Sequence, residues 1–158
     1  MKLSIKTMSA LILLALTIGA VEVASAHHSF AMFDRATERV MSGEVLRWAF
    51  NSPHTAIYIR TDNDEVWAFE GSAPASLVTR SPAMNGFTFQ PGDELTVVVC
   101  PLRDGRTGGA IGIVIKDGEW YSPNDGGCGP NVEAWRDWMA KGYMSKQEAM
   151  DAGEVLPE

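Results

Sequence analysis

The chain has 158 residues, with 13 Lys and Arg against 20 Asp and Glu, and its formal net charge is −7. Hydrophobic residues make up 46% of the sequence and charged residues 21%, which excludes a disordered or collagen-like chain. The length suits one domain, and two cysteines are too few for a disulfide-knotted mini-protein. The acidic balance argues against nucleic acid as a partner, because such binding rests on neutralising phosphates with Lys and Arg.

Residues 1–26 have the layout of a secretory signal peptide. Lys2 and Lys6 form a positive start, an apolar run covers 8–21, and Ala24-Ser25-Ala26 offers small residues for cleavage. A membrane anchor is the alternative, but spanning the hydrocarbon of a bilayer takes about 20 apolar residues. We therefore expect cleavage between Ala26 and His27.

The mature chain, 27–158, loses Lys2, Lys6 and Glu22 with the signal, so it has 11 basic and 19 acidic residues and a net charge of −8. We expect it to be exported, either periplasmic or secreted, and not integral to a membrane. In such an oxidising compartment the two cysteines can pair.

Residues 27–40 mix aromatic and charged residues without a clean period and predict an extended N-terminal arm, with Phe30 and Phe33 docked on the body of the protein. Three strand predictions follow. The first covers 42–50, and the second and third, 55–60 and 65–70, form a hairpin around a turn at 62–64. In the second strand, Ile57 and Ile59 share a face with Thr55, and we expect both to be buried.

A short helix is predicted at 75–80, with Ser72 as its cap and Pro74 in its first turn. A fourth strand at 94–100 places Val97 and Val99 on one buried face, and a fifth covers 110–116. This order predicts a small five-stranded OB-like Greek-key barrel (β-β-β-α-β-β), mainly β, within 27–118. An antiparallel β-sandwich is the alternative fold.

Residues 119–130 are rich in Gly and Pro and predict a linker, and residues 131–158 predict a helical tail. Asn131 can cap one helix, and Ser145 with Glu148 matches a capping box for a second. The stripe that includes Trp135 and Trp138 favours packing on the barrel over a binding role.

Several motifs together resemble a family of small exported bacterial proteins that carry a domain of unknown function. In chain order, they are His27-His28-Ser29-Phe30, Ser52-Pro53-His54, Trp67 with Phe69-Glu70-Gly71, Pro91-Gly92-Asp93, and Pro101 with Asp104-Gly105. Ser52 stands where the family usually has Asn, and the helical tail is an addition. The resemblance covers about 27–118. It implies export and a small β-fold, and it implies no activity.

The three histidines, His27, His28 and His54, carry the one chemical clue. After cleavage, His27 offers an α-amine and an imidazole on one residue, with ordinary pKa values near 7.7–8.0 and 6.5, so a metal displaces the amine proton near neutral pH. A second imidazole from His54 completes three nitrogens suited to Cu(II), as in a histidine brace. His28 can replace His54 or face solvent. The alternative is a frayed polar terminus with His54 bonded to a backbone carbonyl.

Export favours a disulfide between Cys100 and Cys128, whereas a buried thiol or a soft Cu(I) ligand at Cys100 is the alternative. Glu44 and Glu70 lie on predicted strands, and a solvated face is the favoured interpretation for both. No residue is assigned a catalytic role.

The sequence is compatible with three alternative functions. The first is an exported protein that carries or buffers a metal, with copper expected. The second is a metal-free binding module for a small exported ligand or protein, with Trp48, Tyr58 and Trp67 stacking on the ligand if they are exposed. The third is a copper oxidase, for which the sequence shows neither an open coordination position nor a substrate surface.

Overall fold

The computed structural model describes residues 30–156, and the predicted signal peptide, His27 and His28 lie outside them. The strands are β1 Arg39–Ala49, β2 Thr55–Arg60, β3 Val66–Gly71, β4 Glu94–Pro101, β5 Gly108–Lys116 and β6 Glu119–Tyr121. The helices are α1 Pro74–Leu77, α2 Val132–Ala140 and α3 Lys146–Asp151. No helix in this part of the chain is long and apolar enough to cross a membrane.

The sheet has the order β3-β2-β1-β4-β5-β6, and a parallel pairing of β3 with β5 closes the first five strands into a barrel. The predicted five-stranded barrel is therefore confirmed, with β6 as one additional strand. The closing pairs are Ala68 with Gly108, Phe69 with Gly109 and Glu70 with Ala110. Gly109 also permits a close approach of β5 to β4, because a Cβ at this position would lie 2.4 Å from the carbonyl oxygen of Cys100.

The barrel interior is filled by the side chains that alternate inward along the strands. Ile57, Ile59, Val97 and Val99 are fully buried, as their alternation predicts. They belong to one apolar cluster that includes Phe69 and residues from every strand of the barrel.

Several strand boundaries differ from the predictions, and three of the differences follow from strand pairing. β1 begins at Arg39 because residues 39–44 pair with β4. β5 begins at Gly108, since Gly108 and Gly109 already pair with β3. The predicted linker 119–130 starts with β6, which extends the sheet beyond β5.

The predicted Ser72 helix cap is wrong. The N-cap of α1 is Ala73, which makes no side-chain capping bond, and α1 is one turn, shorter than predicted. The Ser72 hydroxyl instead donates a hydrogen bond of 2.5 Å to the carbonyl of Asn124. The serine therefore fastens the loop after β6.

The helical tail packs on the outer face of the barrel. Trp135 and Trp138 of α2 are buried against Val98 and Ile113 of β4 and β5. The indole N–H of Trp135 donates to the buried carboxylate of Glu38 at 2.7 Å. The two predicted caps are present, with Asn131 at the start of α2 and a full capping box of Ser145 and Glu148 at the start of α3.

The N-terminal arm docks on the rim of the barrel at the ends of β4 and β5. Phe30–Met32 forms a short 3-10 helix, and Phe33 is buried and bridges to Leu102. Phe30 and Phe33 pack with the disulfide between Cys100 and Cys128, whose sulfur atoms are 2.02 Å apart. Arm, barrel and the loop after β6 thus meet at one place.

Candidate metal centre

His54 immediately precedes β2, and its imidazole is held at the end of the β2–β3 hairpin. Nδ1 lies 3.2 Å from the carbonyl oxygen of Gly71, the last residue of β3. Thr55 pairs with Gly71 across the hairpin, so the strand register places this carbonyl beside the ring. The side chain of His54 is 19% exposed, which leaves one edge of the site accessible to solvent.

Glu70 contributes the first carboxylate. It lies one residue before Gly71, and its Oε1 is 3.3 Å from Nδ1 of His54. The side chain is 39% exposed, so it lies at the mouth of the site. The sequence favoured a solvated Glu70; its side chain is partly exposed, and its carboxylate also lies against the histidine.

Asp125 contributes a second carboxylate from the loop 122–130, and its Oδ2 is also 3.3 Å from Nδ1 of His54. The side chain is only 7% exposed. Oδ1 accepts the backbone N–H of Gly127 at 2.9 Å, whereas Oδ2 is buried and accepts no hydrogen bond from residues 30–156. This oxygen is aimed at the imidazole.

Arg80 and the disulfide hold the Asp125 loop in place. The guanidinium of Arg80 donates to the carbonyl oxygens of Ser122 and Asn124 and to the hydroxyl of Ser72. Burial lowers the pKa of Arg80, and the charge of Asp125 works in the opposite direction. The hydrogen bonds of Arg80 go to the loop backbone and Ser72, and Cys128 ties the far end of the loop to β4.

His54, Glu70 and Asp125 each present one donor atom, and the three donors lie within 4.8 Å of one another. Nδ1 has three oxygen atoms around it, from Glu70, Asp125 and Gly71. A metal ion can be bound by the imidazole and the two carboxylates, since imidazole nitrogen and carboxylate oxygen are common ligands of zinc.

A cavity of about 300 Å³ opens beside His54 and Glu70, which line one side of it. Its remaining lining is mainly apolar, with Met32 and Phe33 of the arm, Tyr58 and Leu102 among the residues. The cavity therefore borders the arm, the hairpin and two of the three candidate ligands.

The structure brings together only part of the predicted site. His54 lies at its centre, whereas His27 and His28 precede the described residues. Cys100 is in a disulfide and offers no thiol to a metal. Stacking on a ligand was expected of Trp48, Tyr58 and Trp67 only if they are exposed. Trp67 is buried and does not meet that condition, whereas Tyr58 lines the cavity.

The sequence contained no signal for Asp125. This residue lies in a Gly- and Pro-rich segment, and only the path of the loop across the end of the barrel brings it to His54. Glu70 is part of the Phe69-Glu70-Gly71 stretch, and its proximity to His54 follows from the hairpin register.

The model of a family of unknown function, DUF6152, matches residues 15–111 of the chain, more than half of its length. The chain belongs to this family. The DUF6152 match includes His54 and Glu70 and ends before Asp125 and Cys128. Two of the three clustered side chains therefore lie in the family region. No curated protein and no solved structure matches the chain at a significant level.

Proposed function

We propose that the protein is exported and binds a metal ion, with copper expected, through the α-amine and imidazole of His27 and the imidazole of His54. Export and cleavage after Ala26 are part of the proposal, since they make His27 the N-terminal residue. In this account the protein carries or buffers the metal and performs no catalytic step.

The course of the arm is the observation that carries the proposal. Met32 and Phe33 line the same cavity as His54. The ring of Phe30 lies against Gly126, since a Cβ at that glycine would be 3.5 Å from the ring. Gly126 follows Asp125, whose carboxylate faces His54. The described arm therefore begins next to the candidate centre.

The distance from Phe30 back to His27 is short enough for the proposed chelate. His27 is three positions before Phe30, and a fully extended chain of three residues spans about 11 Å at most. An arm anchored at Phe30 and Phe33 restricts its N-terminus to the neighbourhood of the cavity. This restriction lowers the entropy cost of bringing His27 to a metal held by His54.

The chemistry of the donors favours copper for this chelate. The His27 amine, the His27 imidazole and the His54 imidazole are three nitrogen ligands, and nitrogen-rich sites bind Cu(II) more tightly than Zn²⁺. His28 is an alternative third imidazole. The Cys100–Cys128 disulfide is consistent with export, because such bonds persist in oxidising compartments.

The cavity supports a second candidate, a metal-free module for a small apolar ligand. Its volume of about 300 Å³ is at the lower end of the range for small-molecule sites, and most of its lining is apolar. Binding of such a ligand would require neither histidine nor metal.

Copper titration of the cleaved protein and of its His54→Ala and His28→Ala variants tests the proposal. We expect one Cu(II) per chain, a large loss of affinity in H54A and a small loss in H28A. Equal copper affinity in the parent and H54A would remove His54 from the site. Absence of stoichiometric copper binding would leave the small-ligand module as the leading function.

A further inference from the structure

We propose that Glu70 and Asp125 are themselves metal ligands, so that Nδ1 of His54, Oε1 of Glu70 and Oδ2 of Asp125 form a mixed nitrogen–oxygen site for a divalent ion of the zinc class. The inference shares one ligand, His54, with the proposed function and rests on it to that extent. It adds that the barrel alone binds a divalent ion without the N-terminal residue.

The spacing of the donors fits such an ion. Each carboxylate oxygen is 3.3 Å from Nδ1. Zinc bonds to nitrogen and oxygen are about 2.0–2.1 Å long, so neighbouring donors around a tetrahedral ion are about 3.3–3.4 Å apart. The two nitrogen–oxygen spacings therefore match those around one ion, and all three donor atoms lie within 4.8 Å of one another.

The buried Oδ2 oxygen of Asp125 also favours a bound metal ion. Burying a carboxylate oxygen without a hydrogen bond is costly, and a buried charge is normally paired or bound to a metal. Oδ2 accepts no hydrogen bond within the described part of the chain, although its side chain is 93% buried. The guanidinium of Arg80 donates elsewhere, to the loop carbonyls and Ser72.

The charges of the three side chains also favour a divalent ion. The cluster places two carboxylates and the Gly71 carbonyl around one imidazole nitrogen. A divalent ion brings two positive charges, which match the charges of Glu70 and Asp125. A set of one imidazole and two carboxylates suits Zn²⁺ or Mn²⁺ and does not suit a soft ion such as Cu(I).

The ligands are also held by three separate parts of the fold. His54 is at the start of β2, Glu70 is near the end of β3, and Asp125 is on a loop fastened by Arg80 and by the disulfide. Ligands held in this way lose little conformational entropy when the ion binds. The solvent-exposed edge at Glu70 gives the ion a path into the site.

The test uses the mature protein with one Met added before His27, which separates the α-amine from the His27 imidazole. Zn²⁺ affinity is measured by calorimetry, and Co²⁺ is used as a visible-absorption probe of tetrahedral coordination. We expect one Zn²⁺ per chain in this form. Glu70→Gln and Asp125→Asn should each weaken Zn²⁺ binding by at least about tenfold and abolish the tetrahedral Co²⁺ bands.

Glu94→Gln is the matched control, because Glu94 is exposed at the opposite end of β4 from Cys100. Thermal unfolding of each metal-free variant checks that the barrel is retained. Zn²⁺ binding that is unchanged in both E70Q and D125N would show that the cluster is only an ion pair and would overturn the inference. Failure of the Met-extended parent to bind Zn²⁺ would overturn it as well.

The two proposals can fail separately. Loss of Zn²⁺ binding in E70Q and D125N, with equal copper affinity for the cleaved and Met-extended proteins, would support the carboxylate site and contradict the His27 chelate. Tighter copper binding by the cleaved protein, with no effect of either carboxylate variant on Zn²⁺ binding, would support the His27 chelate and contradict the carboxylate site.

Discussion

Oδ2 of Asp125 lies 3.3 Å from Nδ1 of His54, a contact between the loop after β6 and the start of β2. Cys128, three residues beyond Asp125, is bonded to Cys100 at the end of β4. The disulfide therefore anchors the loop that delivers the buried carboxylate to the imidazole, and the stability of the fold and the integrity of the candidate centre are coupled.

Replacing both cysteines by serine should lower stability and weaken Zn²⁺ binding together. The cysteines are separated by 28 residues, and closing a loop of that length contributes about 3.5 kcal/mol through the entropy of the unfolded chain. Urea unfolding measures the first effect and calorimetry the second. The intact protein should also weigh about two hydrogens less than its reduced form, as one bridge requires. Unchanged Zn²⁺ affinity in the folded double variant would contradict the coupling.

Gly71→Ala should disturb both the barrel and the metal centre. A Cβ at Gly71 would lie 2.9 Å from the hydroxyl of Thr55 and 3.0 Å from the carbonyl oxygen of Pro123. The clash would move the Asp125 loop away from His54 and cost about 1–3 kcal/mol of stability. Gly129→Ala is the control, because nothing lies within 4 Å of its added Cβ. The measurements are Tm and Zn²⁺ affinity, and equal values for the two variants would refute the expected clash.

Trp135→Phe should destabilise the protein by about 1–3 kcal/mol more than Trp138→Phe, although both indoles are buried on α2. Only the first substitution removes a donor from Glu38, whose Oε2 accepts the Trp135 N–H at 2.7 Å. The other oxygen of Glu38 is paired with Lys146 at 3.2 Å. Denaturant unfolding checks the difference, and an equal loss in the two variants would argue against the importance of this hydrogen bond.

Asp93 should stabilise the fold at neutral pH and lose that effect in acid. Burial opposes the charged form of Asp93, but hydrogen bonds from Lys116 at 2.5 Å and from the N–H of Gln90 at 2.7 Å outweigh it and lower the pKa. Because the pKa is lower in the folded state, the stabilisation is complete above the unfolded value of about 3.9 and disappears as the pH falls through the folded value.

Unfolding of Asp93→Asn at pH 7 and in acid measures this effect. The variant should be less stable than the parent at pH 7, and the difference should shrink as the pH falls below about 3.9 and through the lowered pKa of folded Asp93. Glu94→Gln, next to it and exposed, should show little difference at either pH. A deficit in D93N that does not change with pH would indicate that the carboxylate charge is not responsible.

Much of the fold could be predicted because the sequence patterns of strands and helix caps involve residues close together in the chain. The alternation in β2 gave the strand and its buried face, and the capping box at Ser145 gave the start of α3. The prediction of Ser72 as a helix cap was wrong. A serine two residues before a proline is typical of a helix start, but the Ser72 hydroxyl donates to Asn124 in a loop distant in the chain. β6 was missed because it is only three residues long and pairs only with β5.

The candidate centre was only partly predictable. His54 stood out as the histidine farthest from the mature terminus. Glu70 and Asp125 join it through the hairpin register and the path of the disulfide-tied loop, and neither relationship is visible as a spacing in the sequence. The order of the elements predicted a barrel but did not specify that β3 and β5 close it.

Copper binding by the cleaved protein and by its Met-extended form tests the central claim most directly. The two proteins differ by one residue that moves the α-amine away from the His27 imidazole and leaves the barrel unchanged. We expect the cleaved form to bind one Cu(II) more tightly than the extended form, with paramagnetic resonance showing nitrogen ligands, and His27→Ala to be as damaging as the added Met. Equal copper affinity of the two forms would contradict the His27–His54 centre.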